Sequence, residues 1–436
     1  MIGPKRIREI TKSELGRLMN RNKADLVEAK RFSAKILAQV RSQGDRALLH
    51  LERRFGGVSF SIKDLTVGLD EIQNAHRAVS SDIKDEIKKV ANRIEKVHHQ
   101  QLPRDEILLE AEGIQVKEIY RPLPSVGIYI PGGTAAYPST VLMLCSPARI
   151  AGVEKIVVCT PPTRDGTVNP LVLVALDIMG VKEVYKLGGA QAIAAMAYGT
   201  RTVPSVSKIA GPGNRYVTAA KWLVSEEVGI DFPAGPSEVL IIADDSANPK
   251  LIAADLISQA EHDSYSVAVL VALSENLAVN VRKALDGMIQ NVERQNVVRA
   301  SLRRYGALLV SENPEDAVRF ADQFASEHME LVVEDPEWYL SRIQNAASIS
   351  VGQYSPVAAA DYGVGTNHVL PTAQGSRFHS SLSVRDFMKA IQVQSLTKEG
   401  LQSLRKTIVT LSKCEGLTAH GEAIEMRFVG GSSSGI

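Results

Sequence analysis

The second half of the chain contains histidines, a carboxylate and a glutamine whose side chains suit binding of a metal ion. Gln259 and His262 are three residues apart at the end of a predicted helix, so both can reach one ion from the same face. The next candidates along the chain are Asp361 and His420. A carboxylate and two imidazoles with one open position suit catalytic zinc. The spacings are wider than in known metal motifs and glutamine is an unusual zinc ligand, so hydrogen-bonded or surface roles stay open.

Two adjacent groups suited to proton transfer lie in Ser326-Glu-His-Met-Glu330. Glu327 and His328 follow a predicted helix and precede a strand-like segment that starts at Leu331. At one edge of a pocket they would supply an acid and a base. The alternative is a histidine stabilised by the dipole at a helix carboxyl end, beside a solvated glutamate. Their spacing favours neither interpretation.

Three glycine-rich turns separate predicted strands from predicted helices. They are Tyr129-Ile-Pro-Gly-Gly-Thr134, Leu187-Gly-Gly-Ala-Gln191 and Ala210-Gly-Pro-Gly-Asn214. Each places free backbone N–H groups at the carboxyl end of a strand, where open α/β sheets bind nucleotides and phosphates. The alternative for each turn is that glycine serves only to reverse the direction of the chain. The standard dinucleotide, phosphate-loop and H-E-x-x-H fingerprints are absent, and a G-x-S-x-G match at Gly431–Gly435 lies in a low-complexity tail.

The elements that must position these residues alternate between β-branched runs and helical patterns. Strands are predicted at 125–130, 155–159 and 183–187, with helices near 139–151, 170–179 and 190–198. A second cycle has strands at 237–243, 266–271 and 307–310, with helices near 248–262, 275–290 and 313–325. This order predicts two α/β units with parallel sheets. Residues 11–102 and 381–436 have helical patterns, the former opening with a capping box at Thr11–Glu14.

Composition excludes several classes of function. The 436 residues have a formal net charge of +1, 44% hydrophobic residues, 23% charged residues and only 5% aromatic residues. We therefore expect a globular enzyme that binds neither nucleic acid nor membrane. Its three cysteines have no C-x-x-C spacing and its amino terminus is charged, which predicts a cytoplasmic protein without a thiolate metal site. The charge-free stretch 122–148 contains five prolines, so it is not predicted to span a membrane.

From about residue 30 to residue 425 the sequence closely resembles the histidinol dehydrogenase family. The resemblance rests on many motifs in the same order: Gly127-Ile-Tyr-Ile-Pro-Gly-Gly133, Gly188-Gly-Ala-Gln-Ala-Ile193, Gly211-Pro-Gly-Asn214, Ala234-Gly-Pro-Ser-Glu-Val239, Ser258-Gln-Ala-Glu-His-Asp263, Ser326-Glu-His328, Asn367-His-Val-Leu-Pro-Thr372, Ser383-Val-Arg-Asp-Phe387 and Glu415-Gly-Leu-Thr-Ala-His420. It implies an NAD-dependent dehydrogenase of the EC 1.1.1.23 type. Such an enzyme oxidises L-histidinol to L-histidine through L-histidinaldehyde with two NAD, in the last step of histidine biosynthesis.

The resemblance also implies roles for individual residues. The zinc ligands would be Gln259, His262, Asp361 and His420, and the acid/base pair would be Glu327 and His328. The substrate would contact these four ligands together with Ser237, His328 and Glu415, while Tyr129, Gln191 and Asn214 would face NAD. One zinc ion per subunit is implied.

The resemblance further implies an intertwined homodimer, in which Glu415 and His420 complete the active site of the neighbouring subunit. We expect two incomplete Rossmann-like, doubly wound units with helical terminal segments. The predicted division is an amino-terminal arm (1–24), a discontinuous first domain (25–125 and 237–380), a second domain on the NAD side (126–236) and a dimerisation segment (381–436).

Two departures from the family pattern leave a related substrate open. Tyr362–His368 lacks the proline that many members have before Asn-His, and Ala-His-Gly-Glu-Ala423 lacks a second alanine after the histidine. A paralogue that oxidises another amino or sulfonated alcohol is therefore an alternative. A metal-dependent hydrolase that uses Glu327 to activate water, and a non-catalytic nucleotide-binding protein, are the rivals from other classes.

Overall fold

A computed structural model describes residues 1–21, 26–132, 136–232 and 235–429. Its contacts divide the chain into two compact units, one formed by residues 1–102 and 123–387, the other by residues 103–122 and 388–436. Several sequence features lie outside the described residues, namely the predicted boundary at 24/25, Gly133 and Thr134 of the first glycine turn, Ala234, and the Gly431–Gly435 match.

The helices start at sequence signals that the chain supplies locally. The predicted capping box is present, since Thr11 accepts a hydrogen bond from Glu14 N and the Glu14 carboxylate accepts one from Thr11 N. In chain order the helices are α1 (Lys12–Met19), α2 (Leu26–Gln43), α3 (Asp45–Leu51), α4 (Leu69–Ala78), α5 (Ser81–His99), α6 (Pro138–Ile150), α7 (Pro170–Ile178), α8 (Gly189–Tyr198), α9 (Arg215–Val224), α10 (Pro249–Ala260), α11 (Glu275–Met288), α12 (Gln295–Tyr305), α13 (Pro314–Phe324), α14 (Pro336–Leu340), α15 (Val357–Ala359), α16 (Lys398–Cys414) and α17 (Thr418–Glu425). None of these helices is both long enough and apolar enough to cross a membrane.

The strands of the described residues form three separate sheets. They are β1 (Ile2–Arg6), β2 (Glu106–Ala111), β3 (Ile114–Pro122), β4 (Ser125–Tyr129), β5 (Lys155–Thr160), β6 (Glu183–Lys186), β7 (Lys208–Ala210), β8 (Gly229–Ile230), β9 (Glu238–Ala243), β10 (Val267–Ala272), β11 (Ala307–Val310), β12 (Ser326–Val332), β13 (Ala346–Val351) and β14 (Met388–Leu396). The α/β class with parallel sheets, predicted from the alternation of strands and helices, is confirmed.

The first α/β cycle forms a five-stranded sheet. Its strands lie in the order β6-β5-β4-β7-β8 and are all parallel. Helices α2, α8 and α9 contact one another on one side, and α6 and α7 contact α5 and α4 on the other. The glycine turns after β4, β6 and β7 therefore all lie at the carboxyl edge of this sheet.

The second α/β cycle forms a six-stranded parallel sheet in the order β1-β11-β10-β9-β12-β13. Its alternate residues enter two different cores. Val239, Ile241 and Val332 pack with α10, α11 and α12, whereas Leu240, Met329 and Leu331 pack with α1 and α13. The sheet is thus covered by helices on both faces, and adjacent residues of β12 belong to opposite layers.

The smaller unit has a different architecture. Strands β14, β3 and β2 form an antiparallel sheet, and α16 contacts α17. The expectation of helical structure throughout residues 381–436 is wrong for β14, because nine residues of this segment pair with β3. Among residues 103–122 and 388–429 only Gly400, Ser412 and Gly421 are buried, so this part of the described chain contains no buried apolar side chain.

Candidate active site

The site is centred on His328, which lies in β12. Its side chain is buried, and Nε2 is 4.0 Å from Oδ1 of Asp361. Burial, together with the neighbouring His368 and His262, lowers the pKa of His328 to about 3. The imidazole is therefore neutral, which is the form that accepts a proton or binds a metal.

Asp361 lies in a turn that continues α15. Helix α15 starts at Val357, whose backbone N–H donates to Oε1 of the buried Glu330 over 2.8 Å. Burial raises the pKa of Asp361 to about 7. A carboxyl group in this state is poised between its neutral and charged forms near neutral pH, and a positive charge beside it would favour the carboxylate.

His368 is a member of the cluster that sequence reasoning did not place there. Its Nδ1 lies 3.1 Å from the backbone oxygen of Asp361 and 3.8 Å from Oδ1 of the same residue. Its Nε2 lies 3.4 Å from Oγ1 of Thr140, in the first turn of α6. Burial lowers the pKa of His368 to about 4. The Asn367-His368 motif was recognised, but its spacing from Asp361 did not indicate that the turn folds back onto that residue.

Gln259 and His262 lie at the end of α10, as predicted. Gln259 is in the last turn, and His262 follows two residues after the helix end at Ala260. The Gln259 side chain is buried and its Nε2 has no hydrogen-bond partner. Partial desolvation lowers the pKa of the exposed His262. The charge of His262 lowers the pKa of both His328 and His368, so His262 belongs to the same cluster.

Glu327 occupies the other face of the sheet from His328. The pair follows a helix as predicted, since α13 ends at Phe324, but the strand starts at Ser326 rather than at Leu331, because Ala325 turns the chain with a φ of 49° into β12. The alternative of a histidine at a helix carboxyl end therefore does not apply. Glu327 Oε2 accepts a hydrogen bond from the backbone N–H of Glu238 over 2.7 Å. Burial and the negative charge of Glu238 raise the pKa of Glu327 well above its usual range.

The predicted substrate residues belong to different parts of the molecule. Ser237 is half-buried and immediately precedes β9, where its backbone oxygen accepts a hydrogen bond from Val267 N. Glu415 and His420 belong to the smaller unit, at the end of α16 and in the first turn of α17, and both are exposed.

The three residues predicted to face NAD make hydrogen bonds within the protein. Tyr129 and Gln191 are buried: the Tyr129 hydroxyl accepts from Gly189 N, and Gln191 Nε2 donates to the Glu52 carboxyl. Asn214 caps α9, because its side chain accepts from the backbone N–H of Tyr216 and Val217. All three nevertheless border the glycine turns at the carboxyl edge of the five-stranded sheet.

One of these glycines has a clear steric cause. At Gly211, φ is +126° and an added Cβ would lie 2.2 Å from the backbone oxygen of Tyr129. Glycine is required there by the close approach of the two strand ends. This glycine is therefore not by itself evidence for a ligand.

The donor set of the His–Asp cluster fits a metal ion in its chemistry. It offers neutral imidazoles, a buried carboxyl and a buried amide whose nitrogen has no partner, and inversion of that amide would present its oxygen instead. Within residues 1–21, 26–132, 136–232 and 235–429, however, no three His, Cys, Asp or Glu side chains are arranged to hold an ion. Of the predicted ligands that are histidine or aspartate, His262 and Asp361 lie in the larger unit and His420 lies in the smaller unit.

Comparison with known proteins identifies the family. A family model described as histidinol dehydrogenase matches residues 19–428. The histidinol dehydrogenase of Methanothermobacter thermautotrophicus is 47% identical over 97% of this chain and 99% of its own length. That of Methanosarcina barkeri is 44% identical over 97% of each chain. The crystal structure of histidinol dehydrogenase from Elizabethkingia anophelis superposes with a TM-score of 0.92 at 37% identity, covering 96% of each chain.

The chain belongs to the histidinol dehydrogenase family. The resemblance predicted from the sequence motifs is confirmed, and so is the enzyme class, an NAD-dependent oxidoreductase. Membership in this family argues against the hydrolase and the non-catalytic nucleotide-binding protein as functions of the His–Asp cluster. The roles of individual residues in the cluster remain predictions.

Proposed function

We propose that this chain oxidises L-histidinol to L-histidine through L-histidinaldehyde, using two NAD, as the last step of histidine biosynthesis. The main structural support is the buried, neutral His328 opposite Asp361, with a second proton-transfer group at Glu327. The contact between His368 and Thr140 connects this cluster to α6, the helix that follows the first glycine turn. A cofactor at that turn would lie beside the cluster.

In the first oxidation, His328 accepts the proton of the substrate alcohol while hydride leaves for NAD. Burial keeps the imidazole unprotonated before the step. Proton uptake converts the ring to an imidazolium. Asp361 lies 4.0 Å away and, in its ionised form, stabilises that positive charge. The negative charge of an ionised Asp361 favours proton uptake by the ring and so counters the effect of burial.

In the second oxidation, Glu327 accepts a proton from the water that attacks the aldehyde. Its raised pKa makes its ionised form a stronger base than an ordinary carboxylate. The hydrogen bond from Glu238 N to Glu327 Oε2 fixes one carboxyl oxygen and leaves the other to meet the water. Hydride then leaves the hydrated aldehyde for the second NAD.

We further propose that Gln259, His262, Asp361 and His420 bind one zinc ion per subunit. The unpartnered Gln259 amide and the neutral His262 support this assignment. When bound, the ion would supply a positive centre that attracts and orients the nitrogen ligands of the substrate. Ser237, His328 and Glu415 would complete the substrate contacts.

A homodimer is proposed because residues 103–122 and 388–429 of the smaller unit contain no buried apolar side chain. Its sheet exposes Ile107, Leu109, Ile391 and Val393, and α16 exposes Leu411. Exposed apolar side chains on a sheet without a core favour a protein interface. A second copy of the chain would cover it and would receive Glu415 and His420 at its active site.

Rossmann-like NAD binding is proposed at the carboxyl edge of the five-stranded sheet. Numbered from β4, the strand order of this sheet is 3-2-1-4-5, so its first three strands have the order of a mononucleotide-binding half, and ligands bind where the order reverses between β4 and β7. Tyr129, Gln191 and Asn214 all border this edge. The domain division 1–24, 25–125 with 237–380, 126–236 and 381–436, and the cytoplasmic location, are proposed on the same family basis.

One assay tests the proposed function. Purified protein is mixed with L-histidinol and NAD, and NADH is followed by its absorbance. We expect two NADH per histidinol, loss of activity on chelation and recovery with zinc. Failure of zinc-loaded protein to form NADH would contradict the proposal, and faster turnover of another amino alcohol or a sulfonated alcohol would favour the paralogue instead.

A further inference from the structure

A fully buried ion pair lies on the same face of the six-stranded sheet as Glu327. Arg21 Nε and Nη2 donate to the two oxygens of the Glu238 carboxylate over 2.6 and 2.7 Å, and both side chains are 0% exposed. The guanidinium also lies 3.8 Å above the ring centroid of Phe324. Bidentate pairing of this kind fixes the geometry of both partners.

Arg21 binds the turn that leads into Glu327. Its Nη2 donates to the backbone oxygen of Phe324 over 2.8 Å, and its Nη1 donates to the backbone oxygen of Leu18 over 3.0 Å. Phe324 is the last residue of α13 and lies three residues before Glu327. The side chain therefore ties the end of α1 to the start of β12.

Glu238 holds Glu327 from the neighbouring strand. Its backbone N–H donates to Glu327 Oε2 over 2.7 Å, and its own Oε1 accepts from Ala373 N over 3.0 Å. Ala373 belongs to the loop that follows His368 and has a φ of 52°, so this hydrogen bond stabilises a backbone conformation that alanine rarely adopts. Ser237, a proposed substrate residue, directly precedes Glu238.

We infer that the Arg21–Glu238 ion pair is the positioning element for Glu327, and that it controls the aldehyde-oxidation step rather than the alcohol-oxidation step. The inference rests on the proposed function for the separate use of Glu327 and His328. His328 projects to the opposite layer, toward Asp361 and the end of α10, and makes no hydrogen bond with either member of the pair among the described residues.

Electrostatics support the same assignment. The negative charge of Glu238 raises the pKa of Glu327, and the positive charge of Arg21 opposes this effect. A buried ion pair also contributes less to stability than an apolar pair of similar size in many proteins. The Arg21–Glu238 pair contacts the strand that carries Glu327. These contacts give the pair a positioning role that an apolar pair cannot supply.

The test compares the two oxidation steps in Arg21→Met and Arg21→Lys. The first step is measured as the first hydride transfer from histidinol in a single turnover, and the second as NADH formation from added histidinaldehyde. We expect Arg21→Met to slow the second step at least tenfold and the first less than threefold, and Arg21→Lys to recover part of the loss. Leu285→Ala, a buried change in α11, is the matched control for lost stability and should leave the ratio of the two rates unchanged.

An unchanged ratio in folded Arg21→Met overturns the inference. If that variant does not fold, the double variant Arg21→Met/Glu238→Leu replaces the ion pair by apolar groups and is measured in the same way, with the same expected loss. A crystal structure of the folded variant provides a readout independent of activity, because we expect the Glu327 Oε2 to residue 238 N distance to exceed 3.5 Å. The proposed function is tested separately by NADH formation in the unaltered protein, and if that fails, this distance alone decides the inference.

Discussion

Nε2 of His328 and Oδ1 of Asp361 lie 4.0 Å apart, although the two residues come from a central strand and from a turn 33 positions later. Burial pushes both groups toward their neutral forms, lowering the pKa of His328 to about 3 and raising that of Asp361 to about 7. A neutral imidazole facing a carboxyl that ionises near neutral pH is suited to accept a proton.

His328→Asn tests the proton-transfer role directly. We expect this variant to retain zinc, because His328 is not a proposed ligand, and to slow at least one hydride step by about 10²–10⁴-fold, the usual contribution of a general base. Zinc content and single-turnover NADH formation are the measurements. Turnover equal to that of the unaltered protein would remove His328 from the mechanism.

Glu330→Gln tests the buried carboxyl pair behind the site. The Glu330 and Asp255 carboxyls face each other; burial and the charge of Asp255 raise the pKa of Glu330 to about 8, and burial raises that of Asp255 to about 6. Because the folded state then binds more protons than the unfolded state, stability falls as pH rises from 4.5 to about 8. The glutamine variant can still accept from Val357 N and donate to Asp255, so it should lack this loss.

Denaturant unfolding at pH 5.5 and pH 9 measures the effect. The unaltered protein should lose a few kcal/mol more than Glu330→Gln between these two conditions, at about 1.4 kcal/mol per unit of pKa shift. Glu334→Gln, at an exposed position just beyond the same strand, is the control and should behave as the unaltered protein. The same pH dependence of the free energy of unfolding in all three proteins would contradict the raised pKa of Glu330 beside Asp255.

Val393→Asp tests the proposed homodimer. Val393 lies in β14, in the exposed sheet of the smaller unit. A charge there should convert the dimer to monomer by light scattering and lower activity strongly, because Glu415 and His420 would no longer reach a neighbouring site. Leu69→Asp makes a similar change at a residue that is 77% exposed in α4 and should leave the dimer intact. A dimeric Val393→Asp protein would place the interface elsewhere.

Thiol labelling tests whether cysteine takes part in the chemistry. Cys145 and Cys159 are buried, which raises the pKa of Cys145 to about 12 and that of Cys159 further, so neither forms a thiolate near neutral pH. Native Cys414→Ser protein should therefore incorporate no iodoacetamide and stay active, while the unfolded protein should incorporate two equivalents, as measured by mass spectrometry. Labelling of the native variant would show that a buried thiol is reactive.

The α/β elements could be predicted because their signals are local. In 125–198, β-branched runs and helical patterns alternate, and the predicted strands and helices lie within two residues of the observed ones. The segment 388–396 was missed because its lysine, alanine and glutamine residues favour a helix, whereas pairing with β3 from a distant part of the chain decides its structure.

The candidate site could be predicted only as a set of residues. His368 meets Asp361, and Glu330 holds Val357, through contacts between elements that no short motif encodes. The opposite orientation of Glu327 and His328 also depends on β12 being a strand as far back as Ser326, where the sequence suggested a helix end. Sequence spacing carries no information on which layer a side chain enters until the period of its element is known.

The position of β1 has a consequence for the order in which the protein folds. The five-stranded sheet uses only residues 125–230, whereas the six-stranded sheet joins residues 2–6 to strands that end at residue 351. During synthesis, the first sheet can therefore assemble while most of the second has not yet left the ribosome. Arg21 and Glu238 are 217 residues apart, so we expect their contact to form late, and the alignment of Glu327 would be among the last steps in the maturation of the enzyme.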